Sequence, residues 1–177
     1  MKIGIISDTH NRLGTITQAF GLLANHSVEL VIHCGDWTTA DTLAFVADTA
    51  AAYGIPLAGV FGNRDDHAAL YRANTTLDIP VRIPDRYELL ELTLADKRLC
   101  VYHGHHKPTL GRLLADPHYD VILTGHSHKP LIQQLDDKLV VNPGSTAFSI
   151  PRRREARSLA LYNTAKHTAE LVYFEPS

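Results

Sequence analysis

Residues 2–10, KIGIISDTH, join a near-continuous apolar run to two polar residues, Asp8 and His10, that lie two positions apart. A run of this kind is expected of a parallel β-strand that is buried on both faces. The single residue between Asp8 and His10 allows both side chains to converge on one cation. The stretch therefore predicts a buried strand with polar ligands immediately beyond its carboxyl end.

The segment that follows alternates helices and strands. Apolar residues recur at helical spacing over 13–24 and 39–52, and the short apolar runs over 30–34 and 55–61 are typical of buried strands. This order is a βαβαβ unit, whose strands pair in parallel through right-handed crossovers. The first third of the chain therefore predicts an α/β fold.

The second half is rich in predicted strands, with one clear helix over 109–115. Paired runs on either side of residues 136–137 and of residues 164–166 predict two β-hairpins. The βαβαβ unit at the start of the chain and the strand-rich second half together favour two sheets packed face to face with helices outside. Without a repeat or a linker, the chain is expected to form one domain over residues 1–177. The predicted strands are residues 86–94, 99–102, 121–124, 130–135, 138–141, 158–163 and 167–174.

Composition argues against several classes of protein. The apolar fraction of 45% is ordinary for a globular protein, and the formal charge of −2 gives no general attraction to nucleic acid or an anionic membrane. The chain starts directly with a strand-like run, and no apolar stretch reaches the roughly 18 residues that span a membrane. A cytoplasmic protein is expected, with Cys34 and Cys100 as buried, reduced thiols.

Six short polar motifs each follow an apolar run. Because α/β proteins gather ligands beyond the carboxyl ends of their strands, these motifs are expected to meet at one site. Five of the eleven histidines lie in them, so the histidines are concentrated at that site. The motifs are Asp8-Thr9-His10, Gly35-Asp36, Gly62-Asn63-Arg64-Asp65, His103-Gly104-His105, Gly125-His126-Ser127-His128 and Asn142-Pro143-Gly144-Ser145.

The side chains of these motifs are ligands for divalent metals. Carboxylate, amide and imidazole groups together suit manganese, iron(II), zinc, cobalt or nickel better than calcium, which prefers oxygen alone. A carboxylate such as Asp36 bridges two ions more readily than a histidine does. Seven ligands with one shared match two metals about 3.5–4 Å apart, an arrangement suited to phosphoryl transfer. The candidates are Asp8, His10, Asp36, Asn63, His103, His126 and His128.

The ordered set of motifs resembles the calcineurin-like metallophosphoesterase superfamily. The resemblance runs from about Lys2 to Phe174, and the closing Asn-Pro-Gly-Ser is similar to the small microbial phosphodiesterase branch. It implies a four-layer αββα sandwich with two mixed β-sheets, and two divalent ions, with manganese favoured. The implied first metal is held by Asp8, His10 and His128, the second by Asn63, His103 and His126, and Asp36 bridges both.

The resemblance implies a metal-dependent phosphodiesterase that hydrolyses small phosphodiesters through a hydroxide bridging the metals. Two alternatives stay open. One is a protein-interaction scaffold, since a eukaryotic retromer subunit has this fold; the other is a nucleotide or cyclic-nucleotide phosphodiesterase or a nuclease. The mild negative charge argues against tight nucleic-acid binding. A homodimer and a homotetramer both stay open as oligomeric states.

Arg64 departs from the family pattern, because many relatives have histidine directly after the metal-binding asparagine. Arginine stays protonated and cannot act as a general acid, although it can hold phosphate oxygens bidentately. The substitution predicts a preference for esters whose leaving groups depart easily. His105 and His106 are the spare imidazoles that could donate a proton, and Asp65 is expected to orient a neighbouring group rather than bind metal.

Residues around the motifs have simpler interpretations. His33 is expected to be a buried, hydrogen-bonded core histidine, and packing is favoured for Trp37 over stacking on substrate. Ser145 is expected beside the metals or in a plain turn. An exposed apolar lip formed by Phe148 and Ile150 is a further prediction. The run Arg152-Arg153-Arg154 is either a solvated face or a rim that attracts anions.

Overall fold

The computed structural model describes residues 1–86, 88–148 and 157–175. Within these ranges ten strands form two five-stranded sheets, accompanied by four helices. The elements in chain order are β1 (Lys2–Ile6), α1 (Leu13–Asn25), β2 (Leu30–His33), α2 (Ala40–Ala52), β3 (Leu57–Gly59), α3 (His67–Asn74), β4 (Leu89–Leu94), β5 (Lys97–Tyr102), α4 (Lys107–Ala115), β6 (Val121–Leu123), β7 (Leu131–Leu135), β8 (Lys138–Asn142), β9 (Arg157–Asn163) and β10 (Thr168–Phe174).

The first sheet has the strand order β10-β9-β1-β2-β3. Strands β1, β2 and β3 are parallel, as the βαβαβ pattern predicts, with Ile3 opposite Leu30 and Val31 opposite Leu57. Strand β9 pairs antiparallel with β1 and continues through the predicted hairpin into β10. The chain thus returns to the first sheet after building the second.

The second sheet has the order β4-β5-β6-β8-β7. Its three central strands, β5, β6 and β8, are parallel, and the outer pairs β4–β5 and β7–β8 are antiparallel. The predicted hairpin around residues 136–137 is therefore confirmed as β7–β8. Both sheets are mixed, and each has three parallel strands whose carboxyl ends carry three of the six polar motifs.

The helices begin where side chains can cap them. Thr39 Oγ1 accepts a hydrogen bond from Thr42 N at the start of α2, and Asp66 Oδ1 accepts one from Ala69 N at the start of α3. Helix α4 begins at Lys107, two residues before its predicted start, because proline is compatible with the first turn of a helix and Pro108 lies there.

Three apolar clusters separate four layers. The largest group between the sheets includes Ile5, Ile32, Val101 and Val141, so both inner sheet faces pack against each other. Helices α1, α2 and α3 cover the outer face of the first sheet, and α4 covers the outer face of the second. The four-layer αββα sandwich is confirmed. Both cysteines are buried and unpaired, as predicted.

Across the residues that the structure describes, no helix combines the length and apolar character needed to cross a bilayer.

The parallel strands of the two sheets determine where the polar motifs meet. Six parallel strands, three from each sheet, end in the six polar motifs, so their loops converge on one edge of the sandwich.

Candidate metal centre

The loop after β1 holds Asp8 and His10 in a strained backbone. Their φ angles are 55° and 38°, in the left-handed region that non-glycine residues rarely adopt. Two hydrogen bonds hold this conformation: Asp8 N donates to Gly35 O at 3.0 Å and His10 N to Asp36 O at 3.4 Å. The loops after β1 and β2 therefore fix each other.

The Asp8 carboxylate is fully buried and half satisfied. Its Oδ2 accepts hydrogen bonds from Ser7 Oγ at 2.6 Å and from His126 N at 3.1 Å. Its Oδ1 has no hydrogen-bond partner in the described part of the chain, and lies 3.1 Å from His128 Nε2 and 3.7 Å from His10 Nε2. Burial opposes the charged form, yet the two imidazoles hold the pKa of Asp8 well below its usual range.

Asp36 lies between two imidazole groups. Its Oδ2 is 3.6 Å from His10 Nε2, whereas its Oδ1 is 3.3 Å from His103 Nε2 and accepts a hydrogen bond from Arg64 N at 2.9 Å. Its backbone is also left-handed, with φ at 63°. Although burial acts in the opposite direction, His103 lowers the pKa of Asp36, so this carboxylate is anionic at neutral pH.

His103 is completely buried and its tautomer follows from its partner. Nδ1 lies 2.8 Å from the carbonyl oxygen of Cys34, which can only accept, so Nδ1 carries the hydrogen. In the neutral ring Nε2 then has a lone pair directed toward Asp36. Burial disfavours protonation, but the Asp36 and Asp8 carboxylates raise the pKa of His103 above its usual value. A proton or a metal ion between Nε2 and the Asp36 carboxylate would remove the repulsion between the lone pair and the carboxylate oxygen.

These donors form two groups that fit divalent metals. One ligand atom from each member lies within 4.8 Å of the others in the set Asp8, His10 and His128, and in the set Asp8, Asp36 and His103. Three atoms of these groups, Asp8 Oδ1, His10 Nε2 and His103 Nε2, are buried without a hydrogen-bond partner among the described residues. Buried polar atoms are almost always satisfied, so this convergence is the expected pattern of a metal site.

The other two predicted ligands, Asn63 and His126, are both exposed. The ring of His126 stands edge-on to that of His103 with 5.2 Å between centroids, and its φ is 64°. Asp8, assigned by resemblance to the first metal alone, also lies within reach of the second group. The inner donors are therefore enclosed, whereas the outer donors face solvent.

Asp65 joins the loops after β2 and β3. Its Oδ2 accepts hydrogen bonds from Gly62 N at 2.7 Å and Asp36 N at 3.0 Å, and its Oδ1 accepts one from Thr38 N at 2.7 Å. Burial raises the pKa of Asp65 despite these three donors. Its placement matches the expected orienting role, with the difference that it holds backbone groups rather than a ligand histidine.

Gly62 is required for space rather than for backbone freedom. A Cβ at this position would overlap Asp36 Oδ1 and would lie 2.7 Å from Asp36 N and 2.9 Å from His103 Cδ2. Any side chain at Gly62 would therefore displace the carboxylate that stands between the two imidazole groups.

The predicted catalytic residues Arg64 and His105 flank the centre. Arg64 is exposed, and its backbone N–H is fixed on Asp36. The His105 ring lies 5.8 Å from that of His103 and 6.4 Å from that of His126, with its pKa lowered by burial. His106 is exposed and turns toward α4, where Nδ1 lies 2.8 Å from Thr109 Oγ1. Of the two spare imidazoles, His105 is the one beside the ligands.

The loop after β8 closes the opposite side. Ser145 is buried, donates through Oγ to Asp8 O at 2.8 Å and accepts from Ala147 N and Phe148 N. It therefore supports the loop after β1 that carries Asp8. Phe148 is 41% exposed and its ring stacks on His128 at 5.0 Å between centroids. The other predicted residues of this segment, Ile150 and Arg152 to Arg154, lie outside the described residues.

His33 and Trp37 form a packed pair beneath the centre. Their rings stack at 3.7 Å, His33 Nδ1 accepts from Gly35 N, and Trp37 Nε1 donates to Val60 O at 2.8 Å. Both side chains are completely buried, which confirms the predicted core role of His33 and packing role of Trp37. Burial lowers the pKa of His33 to about 3, so it is neutral at physiological pH.

Three supporting groups escape sequence analysis. Ser7 Oγ holds Asp8, Thr38 Oγ1 lies 3.2 Å from His10 Nδ1, and the Cys34 carbonyl orients His103. Serine and threonine are common in such loops, and a backbone carbonyl leaves no trace in sequence. No pattern in the chain distinguishes these positions.

Comparison with known proteins agrees with this geometry. A family model described as the calcineurin-like phosphoesterase superfamily domain matches residues 1–167. The chain belongs to this superfamily. Among relatives, a phosphodiesterase of Methanocaldococcus jannaschii is 32% identical over 144 residues, which cover 81% of this chain and 83% of the relative. The probable metallophosphoesterase YsnB of Bacillus subtilis is 29% identical over 182 residues, covering 99% and 91%.

Solved structures of this superfamily show the same architecture. An archaeal phosphodiesterase superposes with a TM-score of 0.78 at 26% identity, covering 98% of this chain and 100% of the other. Vps29 of Entamoeba histolytica, solved with Zn²⁺, has a TM-score of 0.65 at 18% identity and full coverage of both chains, a likeness of fold alone. Together the family and its phosphodiesterase members confirm the predicted metal-dependent phosphoesterase.

Proposed function

We propose that this chain is a dinuclear metal-dependent phosphodiesterase acting on small phosphodiesters. The observation that carries the proposal is the position of Asp36, whose Oδ2 faces His10 Nε2 at 3.6 Å while its Oδ1 faces His103 Nε2 at 3.3 Å. A carboxylate with one oxygen directed at each of two imidazole groups is suited to bridge two cations. The phosphodiesterase relative from Methanocaldococcus jannaschii supports the assignment to diesters.

The proposed ligands divide between two ions. Manganese is the favoured metal, and nickel, iron(II), zinc or cobalt suit the same mixture of nitrogen and oxygen donors. When bound, two such ions lower the pKa of a coordinated water and neutralise charge on the phosphoryl oxygens. The first ion is assigned to Asp8, His10 and His128, the second to Asn63, His103 and His126, with Asp36 shared.

The protein groups around the ions have distinct roles. His103 Nδ1 donates a hydrogen bond to Cys34 O and Ser7 Oγ donates one to Asp8 Oδ2, so both ligands are oriented before a metal binds. We assign to the exposed guanidinium of Arg64 the role of holding two oxygens of the phosphodiester and stabilising their charge in the transition state. His105 is the imidazole outside the ligand set that lies beside two ligands, and we assign it any proton transfer to the departing oxygen.

Metal-dependent turnover tests the proposal. The protein is stripped with a chelator and refilled with manganese, nickel, zinc or magnesium, and hydrolysis of methyl p-nitrophenyl phosphate is compared with that of the monoester p-nitrophenyl phosphate. The diester is expected to be cleaved faster, only with metal, and not by Asp36→Asn. Asp41→Asn is the matched control, because Asp41 is an exposed acid in the first turn of α2. Two bound ions without turnover of any ester would instead favour an interaction scaffold.

The leaving group gives a second test. Arg64 cannot donate a proton, and burial lowers the pKa of His105, so that most of its rings are unprotonated at neutral pH. The rate is therefore expected to rise as the pKa of the departing phenol falls across a series of aryl methyl phosphates. The variant Arg64→His is expected to flatten this dependence by supplying an acid. A wild-type preference for poor alcohol leaving groups would contradict the assignment.

A further inference from the structure

A cavity of about 210 Å³ lies directly beside the proposed metal centre. It is bordered by α4, by the β7–β8 hairpin and by the loop that follows β6, and it opens to solvent beside the exposed Leu131 and Gln133. The loop contributes His126, whose ring the proposed function uses as a ligand of the second ion. The walls are mostly aliphatic and are formed by Leu110, Leu114, Leu131, Leu135 and Val140.

The cavity suits an uncharged, apolar group. His126 is the single ionisable side chain among the described residues that line it. Two polar groups of the wall already have partners: Asn142 Nδ2 donates to Gly125 O at 2.7 Å and to Ser127 Oγ at 3.2 Å, and Ser127 Oγ also accepts from Lys129 N. The other polar side chains of the wall, Thr124 and Gln133, are uncharged. A charged group entering this space would therefore lose hydration without gaining a carboxylate, lysine or arginine as partner.

A residue of one loop that carries metal ligands also lines the cavity. Gly104, which separates His103 from His105, lines the cavity, and a Cβ on it would lie 3.9 Å from Leu110 Cδ2. Leu110 and Leu114 in turn pack against the core between α4 and the second sheet. A group bound in the cavity is therefore held by α4 and the second sheet, and it lies next to the loop that carries His103.

The volume indicates the size of group that the cavity itself can surround. A dry apolar cavity of about 150 Å³ is large enough to bind benzene, whereas pockets for drug-sized ligands start at about 300 Å³. The cavity beside His126 therefore surrounds one aromatic ring or a short branched alkyl group, and a larger group would extend from it into solvent.

We propose that this cavity binds one ester arm of the substrate, the arm that stays on phosphorus during hydrolysis. The proposal rests on the phosphodiesterase function proposed above. A departing oxygen gathers negative charge, which the aliphatic walls cannot stabilise, so the cavity fits the retained arm. The substrate class is phosphodiesters with one uncharged aryl or branched alkyl arm.

A selectivity ratio tests the proposal. Phenyl p-nitrophenyl phosphate and methyl p-nitrophenyl phosphate share a leaving group and differ in the retained arm, so comparing their ratio of kcat/KM between variants cancels intrinsic reactivity. Leu131 is 44% exposed on an edge strand, so Leu131→Glu and Leu131→Ala keep the core intact. Leu131→Glu is expected to lower the phenyl-to-methyl ratio about tenfold or more, since the ring loses its apolar contact. Leu131→Ala should give a smaller fall.

The matched control is Ile79→Glu, which places the same charge at a 64% exposed aliphatic residue on another surface. It should leave the ratio unchanged. A ratio that stays at the wild-type value in Leu131→Glu would overturn the proposal. Absence of metal-dependent turnover of both diesters by the wild-type protein would instead overturn the proposed phosphodiesterase.

Binding of phenol to the metal-free protein gives a readout that does not depend on turnover. With ¹³C-labelled leucine methyl groups, phenol is expected to cause saturable shifts at Leu110, Leu114 and Leu131, and Leu131→Glu should abolish them. Shifts that are absent or spread over the whole surface would overturn the cavity as a site. If phenol binds but the phenyl-to-methyl ratio of kcat/KM is the same in the Leu131 variants as in wild type, the role of the retained arm would be overturned.

Discussion

The inner and outer parts of the metal centre differ in how their side chains are held. Asp8 and His103 are fully buried, and each is fixed by hydrogen bonds to groups from neighbouring loops. Asn63 and His126, from the same kind of loop, are exposed. The sheets therefore enclose the donors that must keep their geometry without metal, and leave open the side through which a phosphate ester enters.

The largest expected effect comes from breaking the inner part. Asp8→Asn should lower kcat/KM for methyl p-nitrophenyl phosphate by about a thousandfold or more, because metal stabilisation of the transition state is worth several kcal/mol. Turnover is measured at saturating manganese, with Asp41→Asn as control. Activity within tenfold of wild type would mean that the enclosed carboxylate is not a ligand.

A smaller effect is expected from the group that joins the loops. Asp65→Asn removes one acceptor oxygen from three backbone donors and should weaken manganese binding by about 10–100-fold, as supporting residues of metal sites commonly do. Affinity is measured by titration calorimetry. Asp66→Asn is the matched control, since asparagine caps α3 as well as aspartate does. Equal manganese affinity in the two variants would show that Asp65 does not support the metal site.

The layer beneath the inner part should respond to pH. Burial lowers the pKa of His33 from 6.5 to about 3, so between these values the unfolded chain carries a proton that the folded chain lacks. Stability therefore falls as pH falls, and at pH 4.5 this residue should cost about 2–3 kcal/mol of unfolding free energy relative to pH 7. Urea unfolding of the metal-free protein measures it.

The comparison for this prediction is the variant His33→Gln, whose loss of stability between pH 7 and pH 4.5 should be smaller than that of wild type by the same amount. His118→Gln, at an exposed histidine, is the control and should keep the wild-type dependence. Identical pH profiles for wild type and His33→Gln would show that the buried imidazole does not contribute.

The smallest expected effect tests the space around Asp36. Gly62→Ala places a Cβ against Asp36 Oδ1 and should reduce kcat/KM by about tenfold, because sub-ångström displacement of a ligand misaligns the reacting groups. Gly14→Ala is the matched control, since nothing lies within 4 Å of a Cβ there. A Gly62→Ala enzyme as active as Gly14→Ala would show that the carboxylate can move freely.

The fold was largely predictable because both of its periodicities are local. The apolar runs of β1, β2 and β6 are nearly continuous, and the turn of the β7–β8 hairpin is recognisable as Asp136 and Asp137 between two strand-like runs. Helix α3 is not among the helices predicted from apolar spacing, because it has only eight residues and buries just Leu70 and Asn74. Helices as short as this depend on tertiary contacts for stability.

The candidate ligands were predictable for a different reason. Each follows a strand directly, so position in sequence implies position at the sheet edge. The groups that hold those ligands come from distant parts of the chain, as Asp65 holds Asp36 and Ser145 holds Asp8. The cavity beside His126 is likewise made by leucines of α4 and β7, whose approach depends on the packing of the second sheet. Neither follows from spacing alone.

The most direct test of the account is whether Asp36 joins two metal ions. Manganese(II) is titrated into the stripped protein and followed by electron paramagnetic resonance, with Asp36→Asn measured in parallel. The account predicts two manganese ions per wild-type chain with an exchange-coupled spectrum, since bridged ions lie about 3.5–4 Å apart. The variant should show only uncoupled manganese. A wild-type chain that binds a single ion, or a variant that keeps the coupled spectrum, would contradict the bridging role of Asp36.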